Sequence, residues 1–138
     1  MQGPPDLLCV LIAERDQSVR RLQKLFLERA GFAVEFSDDG QDTLERALLT
    51  PPSLVIAEIL IPRIDGLALC RRLRGDPRTG HVPVLIFSIL AAAQRAAEAG
   101  ATAFLRKPLV DSLFVAAVQD LTAAQPTTAV EMQWASKS

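Results

Sequence analysis

The sequence has few of the residues from which catalytic and metal sites are most often built. Its 138 residues include two cysteines, one histidine, one tryptophan and no tyrosine. Cys9 and Cys70 lie far apart with no CxxC motif, and the single histidine, His81, stands alone in a predicted loop. A zinc site or a thiol–imidazole pair is therefore not expected, and both cysteines are predicted to be buried, reduced thiols.

An excess of charge of one sign is also missing, as is a long apolar run. The formal net charge is -1, which gives the chain no electrostatic basis for binding nucleic acid. No apolar stretch approaches the roughly 20 residues of a membrane helix, and no signal-peptide pattern opens the chain. We therefore expect a cytoplasmic protein with no nucleic-acid or membrane partner, and a hydrophobic content of 49% is enough for one globular core.

The sequence does contain a regular alternation of short apolar runs with amphipathic segments. The predicted strands are 7–13, 32–36, 53–57, 83–87 and 102–105. The predicted helices are 19–30, 42–49, 65–73, 91–99 and 110–121. Strands and helices that alternate with short connections form parallel sheets through right-handed crossovers. We therefore predict a single α/β domain with a flavodoxin-like, doubly wound, five-stranded parallel sheet, strand order 2-1-3-4-5 and helices on both faces.

Helical periodicity predicts which residues of the first and last helices face the core. In the first helix, which Asp16 or Ser18 is positioned to cap and Gly31 to end, they are Val19, Leu22, Leu25, Phe26 and Ala30. In the last helix they are Val110, Leu113, Phe114, Ala117, Val118 and Leu121. Residues 1–122 are thus assigned to the domain and 123–138 to a flexible tail or linker, with docking of Val130, Met132 and Trp134 as the alternative.

Polar residues follow the predicted strands at their carboxyl ends, where ligands bind in doubly wound sheets. They are Glu14, Arg15 and Asp16 after the first strand, Glu58 after the third, Ser88 after the fourth and Lys107 after the fifth. The segments AERDQSVR, EILIPRIDG, PVLIFS and GATAFLRKP resemble, in order and spacing, the strand-end motifs of response-regulator receiver domains. The resemblance covers residues 7–121.

The resemblance implies a role for each of these positions. In receiver domains two adjacent acids hold Mg²⁺, an aspartate accepts a phosphoryl group, and a Thr or Ser, an aromatic residue and a Lys-Pro pair complete the site. Here Glu58 stands at the acceptor position, and Glu14 and Arg15 stand at the positions of the two acids. Ser88, Phe104, Lys107 and Pro108 keep the family's residue types.

Two departures from the family pattern change the expected chemistry. The additional methylene of Glu58 displaces the attacking oxygen by more than an ångström, which in-line phosphoryl transfer does not tolerate. Arg15 replaces a metal ligand by a fixed cation, so Mg²⁺ binding is predicted to be weak or absent and no cofactor is expected. We expect Arg15 to enter the vacated metal position and pair with Glu58 or Glu14, while Lys107 approaches Glu58 from the other side.

These departures favour a non-enzymatic pseudo-receiver that binds a protein partner without phosphorylation, with Glu58 imitating a phosphorylated aspartate in part. The expected partner face comprises the fourth helix, the fifth strand and the last helix, although the segment after Ser88 has room for barely two helical turns. Ile89 and Leu90 either extend this face or are buried. The oligomeric state is left open and is compatible with a dimer.

Two other hypotheses follow from the same residues. One is a working response regulator in which Glu58 accepts phosphate or Asp16 turns inward as a metal ligand, instead of capping the first helix. The other is an unrelated flavodoxin-like enzyme or nucleotide binder. It has little support, because no GxGxxG or GxxxxGK[ST] motif follows a strand.

Overall fold

The computed structural model describes residues 7–123, in which five parallel strands alternate with five helices. The strands are β1 (Cys9–Ala13), β2 (Ala33–Ser37), β3 (Leu54–Ala57), β4 (Val84–Ser88) and β5 (Ala103–Arg106). The helices are α1 (Gln17–Arg29), α2 (Gly40–Leu49), α3 (Gly66–Gly75), α4 (Ala93–Glu98) and α5 (Asp111–Ala123). The sheet order is β2-β1-β3-β4-β5, which confirms the predicted topology. Val130, Met132 and Trp134 of the predicted tail lie outside the described residues.

The three central strands are buried on both faces, as their unbroken apolar runs predict. Successive side chains of a strand point to opposite sides, so Val10 and Ile12 enter one core while Leu11 and Ala13 enter the other. The first core lies under α1 and α5, and the second lies under α2, α3 and α4. Both layers hold the carboxyl ends of the strands at one edge of the sheet.

The predicted core face of α1 is partly wrong. Leu22 and Leu25 are 42% and 43% exposed, whereas Gln23 and Leu27 are fully buried. Val19 and Ala30 pack against the core as expected, so the buried face follows the spacing 19, 23, 27 and 30. The polar Gln23 lies at the centre of this buried face, so the pattern of apolar residues in the sequence does not indicate the face.

We predict that Gln23→Met stabilises the domain by about 1–2 kcal/mol. Neither the oxygen nor the nitrogen of the Gln23 amide has a hydrogen-bond partner among the described residues, and a buried, unpaired polar group costs free energy that a thioether of similar volume does not. Urea unfolding of both proteins measures the difference. Gln17→Met at the exposed start of the same helix is the control, and a Gln23→Met protein less stable than wild type contradicts the prediction.

The predicted core stripe of α5 also needs correction at its start. Phe114 and Val118 are buried, but Val110 and Leu113 are 48% and 59% exposed. They lie beside β5, which is an edge strand of the sheet, and no other strand within residues 7–123 covers them. The exposed pair leaves an apolar surface at this edge.

Helix α4 has six residues, which agrees with the expected shortness of this segment. Its N-cap, Ala92, makes no side-chain hydrogen bond to the helix.

Across residues 7–123, none of the helices has the length and apolar character needed to span a membrane. Cys9 and Cys70 are free thiols, and Cys70 is buried as predicted, whereas Cys9 is only partly buried. Burial raises the pKa of both thiols. 

Candidate functional site

Four polar side chains from different strands meet at the carboxyl edge of the sheet. Glu14 follows β1, Glu58 follows β3, Ser88 ends β4 and Lys107 follows β5. The Lys107 Nζ lies 3.0 Å from Oε1 of Glu14 and 3.0 Å from Oε1 of Glu58. Both carboxylates are almost completely buried, at 3% and 6% exposure, so the ammonium compensates charges that water does not reach. This placement of Lys107 beside Glu58 confirms the predicted contact.

The Glu58 carboxylate accepts hydrogen bonds on both of its oxygens. Oε2 accepts from the backbone N–H of Ile59 at 2.6 Å, from that of Leu60 at 3.2 Å and from the Ser88 hydroxyl. Oε1 accepts from the backbone N–H of Ile89 at 3.2 Å and from Lys107. Glu58 is therefore held by donors from three different loops and is not a solvated strand-end acid.

Sequence reasoning did not identify the three backbone donors of this site. The N–H groups of Ile59, Leu60 and Ile89 depend on the course of the loops after β3 and β4, and apolar side chains give no sign of them. The one available signal is Gly66, where an added Cβ would lie 2.5 Å from the Glu58 carbonyl oxygen. A glycine at this position allows α3 to pack against the strand end that carries Glu58.

Asp16 caps α1, and its side chain does not join the cluster of Glu14, Glu58, Ser88 and Lys107, which we call the pocket. Its Oδ1 accepts from the backbone N–H of Ser18 at 2.8 Å and of Val19 at 3.1 Å, and its side chain is exposed. Its own backbone N–H donates to Oε2 of Glu14 at 3.1 Å, which orients that carboxylate. Of the two roles considered for Asp16, the structure shows the helix cap.

The predicted position of Arg15 is wrong. Its side chain is exposed, and within residues 7–123 it forms no ion pair or hydrogen bond with Glu14 or Glu58. Glu14 turns into the pocket, and the next residue of an extended chain points to the other side. The cation between the two carboxylates is the Lys107 ammonium, which leaves no place there for a guanidinium.

The comparison with known proteins decides the family. The family model of the response regulator receiver domain matches residues 10–119. The chain belongs to this family. A response regulator structure from Chloroflexus aurantiacus has a TM-score of 0.81 and 30% identity, covering 86% of this chain and 99% of that one. The receiver domain of a histidine kinase from Syntrophus aciditrophicus has a TM-score of 0.80 and 32% identity, covering 88% and 94%.

Curated relatives of this receiver domain are longer proteins. The transcriptional regulator RpaA of Synechocystis is 33% identical over 102 residues, which are 72% of this chain and 42% of RpaA. CseB of Streptomyces avermitilis is 34% identical over 80% of this chain and 47% of its own length, and PleD of Caulobacter vibrioides is 30% identical over 82% and 26%. The chain spans less than half the length of each of these proteins. Its family membership thus establishes a receiver domain of two-component signalling and leaves the function of the whole protein to proposal.

The donor set of this receiver domain does not fit the Mg²⁺ ion that the family implies. Magnesium prefers about six oxygen ligands at about 2.0–2.1 Å. Here Oε1 of both Glu14 and Glu58 faces the Lys107 ammonium, and Arg15 stands where the family has a second acid. In the described part of the chain, no group of three or more acidic, histidine or cysteine side chains is placed to hold a metal. 

Ser88 and Phe104 stand at the positions to which the family resemblance gives a role in reporting the state of the acceptor site, and that role stays a prediction. Ser88 is fully buried with its hydroxyl on Glu58, and its Oγ also accepts from the Leu90 N–H at 3.2 Å. Phe104 on β5 is half-buried and packs against the core under α4. Leu90 packs against the same core, whereas Ile89 is 59% exposed. Pro108 is exposed after a cis peptide bond with Lys107.

The contacts in the pocket shift the pKa of its charged groups. Burial acts to raise the pKa of Glu58, but hydrogen bonds from Ser88, Lys107 and Leu60 outweigh it and hold the pKa below its ordinary value of 4.5. Burial acts to lower the pKa of Lys107, but hydrogen bonds to Glu14 and Glu58 outweigh it and raise the pKa above 10.5. Glu58 and Lys107 are therefore both charged at neutral pH.

We predict that Glu58 stabilises the fold at neutral pH and that this contribution is lost in acid. A carboxyl whose folded pKa lies below its unfolded value of 4.5 contributes stability above that value, and the contribution disappears as the pH falls through the folded pKa. The difference in unfolding free energy between wild type and Glu58→Gln should therefore shrink between pH 7 and pH 3. Glu28→Gln on the exposed face of α1 is the control, and a difference independent of pH contradicts the assignment.

Proposed function

We propose that this receiver domain signals through a protein partner in a fixed conformation, without accepting a phosphoryl group. The observation that carries the proposal is the number of hydrogen bonds that the Glu58 carboxylate already accepts. These hydrogen bonds come from the hydroxyl of Ser88, the ammonium of Lys107 and three backbone N–H groups. In receiver domains Ser88 and Lys107 correspond to the groups that contact the phosphoryl group, so Glu58 occupies them in its place.

The length of the glutamate side chain supports this proposal. One methylene more than aspartate carries the carboxylate outward from the strand, toward donors that a shorter side chain would leave for a phosphoryl group. A carboxylate carries one negative charge and a phosphoryl group nearly two, so Glu58 imitates the charge of a phosphorylated aspartate only in part. The imitation is more complete in hydrogen bonding, because both oxygens accept from at least two donors each.

The same contacts make Glu58 a poor nucleophile. An attacking oxygen needs a free lone pair directed at the phosphorus atom, and in-line geometry fails with displacements of about 1 Å. The oxygens of Glu58 are engaged on both sides, and the residue is 6% exposed. We therefore expect the geometry of Glu58 to prevent phosphorylation, whether or not a kinase is present.

The partner face in this proposal is the edge formed by α4, β5 and α5. Ile89, Val110 and Leu113 expose apolar side chains at 59%, 48% and 59%. Leu105, Val110 and Leu113 also line a groove of about 150 Å³ beside Arg106. A rimmed apolar surface of this kind suits a protein partner, and the net charge of -1 gives no support for nucleic acid. A non-enzymatic role and a cytoplasmic location are part of the same proposal.

Intact-mass spectrometry tests the proposal. The wild-type domain incubated with acetyl phosphate and Mg²⁺ should gain no phosphoryl mass, and neither should Glu58→Gln treated in parallel. A phosphoryl adduct on the wild type that disappears in Glu58→Gln would identify Glu58 as a working acceptor. That result would support a response regulator with an unusual acceptor and overturn the proposal.

A further inference from the structure

We infer that residues 130–134 of this chain return along its own helix α5 and seat Trp134 in the apolar groove at the start of that helix. The segment lies outside the described residues. The inference deepens the proposed function and rests on it only for the role of the surface, which belongs to the proposed partner face. The chain then covers this face itself, and a protein partner has to displace Trp134 before it binds.

Helix α5 carries more apolar surface than the described residues cover. Phe114 is buried against the sheet, whereas Val110 just before the helix and Leu113 in its first turn are 48% and 59% exposed. Ala116 is exposed as well, so the apolar surface continues into the next turn. A helix that is apolar on several sides is usually covered on several sides. None of the described elements covers this side of α5.

The groove at the start of α5 suits an aromatic ring. It has a volume of about 150 Å³, and Leu105, Val110 and Leu113 form part of its apolar wall. Arg106 is the one charged side chain among the described residues that line it, and its Nε donates to the Ile89 carbonyl oxygen at 3.3 Å. A guanidinium beside an apolar wall favours an aromatic ligand, and tryptophan gives the strongest cation–π contact.

Residues 130–134 have the sequence pattern of an extended segment with one apolar side. Their sequence is VEMQW, in which Val130, Met132 and Trp134 alternate with two polar residues. Successive side chains of an extended chain point to opposite sides, so the three apolar side chains share one side. Such a segment presents an apolar edge to a helix and a polar edge to water.

The number of residues between α5 and this segment allows it to return to the groove. The 13 residues of α5 end at Ala123 and span about 20 Å, which is the distance that the chain has to travel back. Trp134 lies eleven residues beyond Ala123, so an extended chain carries it up to about 36 Å. The excess is available for the turn, and Pro126 disfavours continuation of the helix. Because the segment is tethered, its effective concentration is on the order of mM, which makes a weak contact sufficient.

The handedness of crossovers argues against pairing of this segment with β5 as a sixth strand. Helix α1 leads from β1 to β2, away from β5, and α5 lies on the same face of the sheet as α1. A right-handed crossover through α5 would therefore lead from β5 back toward β4. A parallel strand on the outer side of β5 would need the rare left-handed connection. We therefore assign the contact to side chains in the groove and not to backbone pairing.

The fluorescence of Trp134, the only tryptophan in a chain without tyrosine, tests the inference. In the 138-residue protein its emission should lie at shorter wavelength, and acrylamide should quench it less, than after unfolding in urea. Leu113→Asp should move both values to those of the unfolded protein, because a carboxylate in the wall opposes burial of the ring. Far-UV circular dichroism should not change, since an acid is favourable in the first turn of a helix.

A second variant and a matched control make the result specific. Val110→Asp places an acid directly before α5, where it can cap the helix, and should release Trp134 as Leu113→Asp does. Leu49→Asp is the control, because Leu49 is 86% exposed and lines a different opening of about 250 Å³ beside Cys9. This variant should keep the wild-type emission, and the wild-type emission should not change on dilution.

Four results overturn the inference: a wild-type Trp134 as exposed as in urea, emission that neither Leu113→Asp nor Val110→Asp changes, release by Leu49→Asp instead, or release of the wild type on dilution. The last result would place the segment on a second copy of the chain. An exposed Trp134 in a protein that gains no phosphoryl mass sinks the inference alone. A phosphoryl adduct on Glu58 sinks the proposed function and leaves the fluorescence result as it stands.

Discussion

The combined change Arg15→Asp/Glu58→Asp should raise the rate of phosphorylation by acetyl phosphate and Mg²⁺ at least about 100-fold over wild type, the order of magnitude that a misplacement of about 1 Å costs. Shortening residue 58 by one methylene withdraws the carboxylate from the donors that Glu58 occupies. Those donors, Ser88 and Lys107, become available to the incoming phosphoryl oxygens. The acid at position 15 replaces a fixed cation near the pocket by the residue type that the family pattern has at this metal-ligand position.

The two single substitutions, and one variant that lacks the carboxylate nucleophile, make this experiment specific. Glu58→Asp alone should gain less, because Arg15 still stands at the position of the second acid. Arg15→Asp alone should gain little, because Glu58 remains on its donors. Arg15→Asp/Glu58→Asn removes the nucleophile and should be inert. A folded Arg15→Asp/Glu58→Asp protein no more reactive than wild type contradicts our account of the pocket.

Lys107→Met should destabilise the domain by about 3–5 kcal/mol in the absence of divalent ions, which is the usual cost of leaving a buried charge uncompensated. In this pocket two carboxylates, at 3% and 6% exposure, lose their shared counter-ion. Urea unfolding in the presence of a chelator measures the loss. A domain of this size has about 5–15 kcal/mol of stability in total, so the variant should be close to unfolding.

Two controls separate charge from packing in this prediction. Lys24→Met, on the exposed face of α1, should change the stability by no more than about 0.5 kcal/mol. Glu14→Gln/Lys107→Met should regain part of the loss, because it removes one of the uncompensated charges. A Lys107→Met protein as stable as the Lys24→Met control would show that the ion pairs contribute nothing.

Most of the fold follows from the sequence, because fully buried parallel strands produce short, unbroken apolar runs, and their length and flanking turn residues distinguish them from buried helices. The strand order was predictable from the five alternating strand–helix units, and the meeting of Glu14, Glu58, Ser88 and Lys107 was predictable because the carboxyl ends of parallel strands lie at one edge of the sheet. The inward face of α1 was not, since Gln23 occupies its centre and the exposed Leu22 and Leu25 suggest a different face.

The details of the pocket were predictable only in part. The contact of Lys107 with Glu58 follows from the positions of the two strand ends. The direction of the Arg15 side chain, however, depends on whether the side chain of the preceding residue, Glu14, points into the pocket. Sequence identifies the residue types near a pocket, and it does not decide which of two cations enters. The backbone donors at Ile59, Leu60 and Ile89 leave no trace in the sequence, because every residue except proline has an N–H group.

The most direct test of the central claim is the amide spectrum of the ¹⁵N-labelled wild-type domain, recorded before and after addition of acetyl phosphate and Mg²⁺. If the Glu58 carboxylate permanently holds the N–H groups of Leu60 and Ile89, their resonances should keep their positions. Arg15→Asp/Glu58→Asp should shift both under the same conditions. Movement of these two resonances in the wild type would show that the pocket still switches, and would contradict the account.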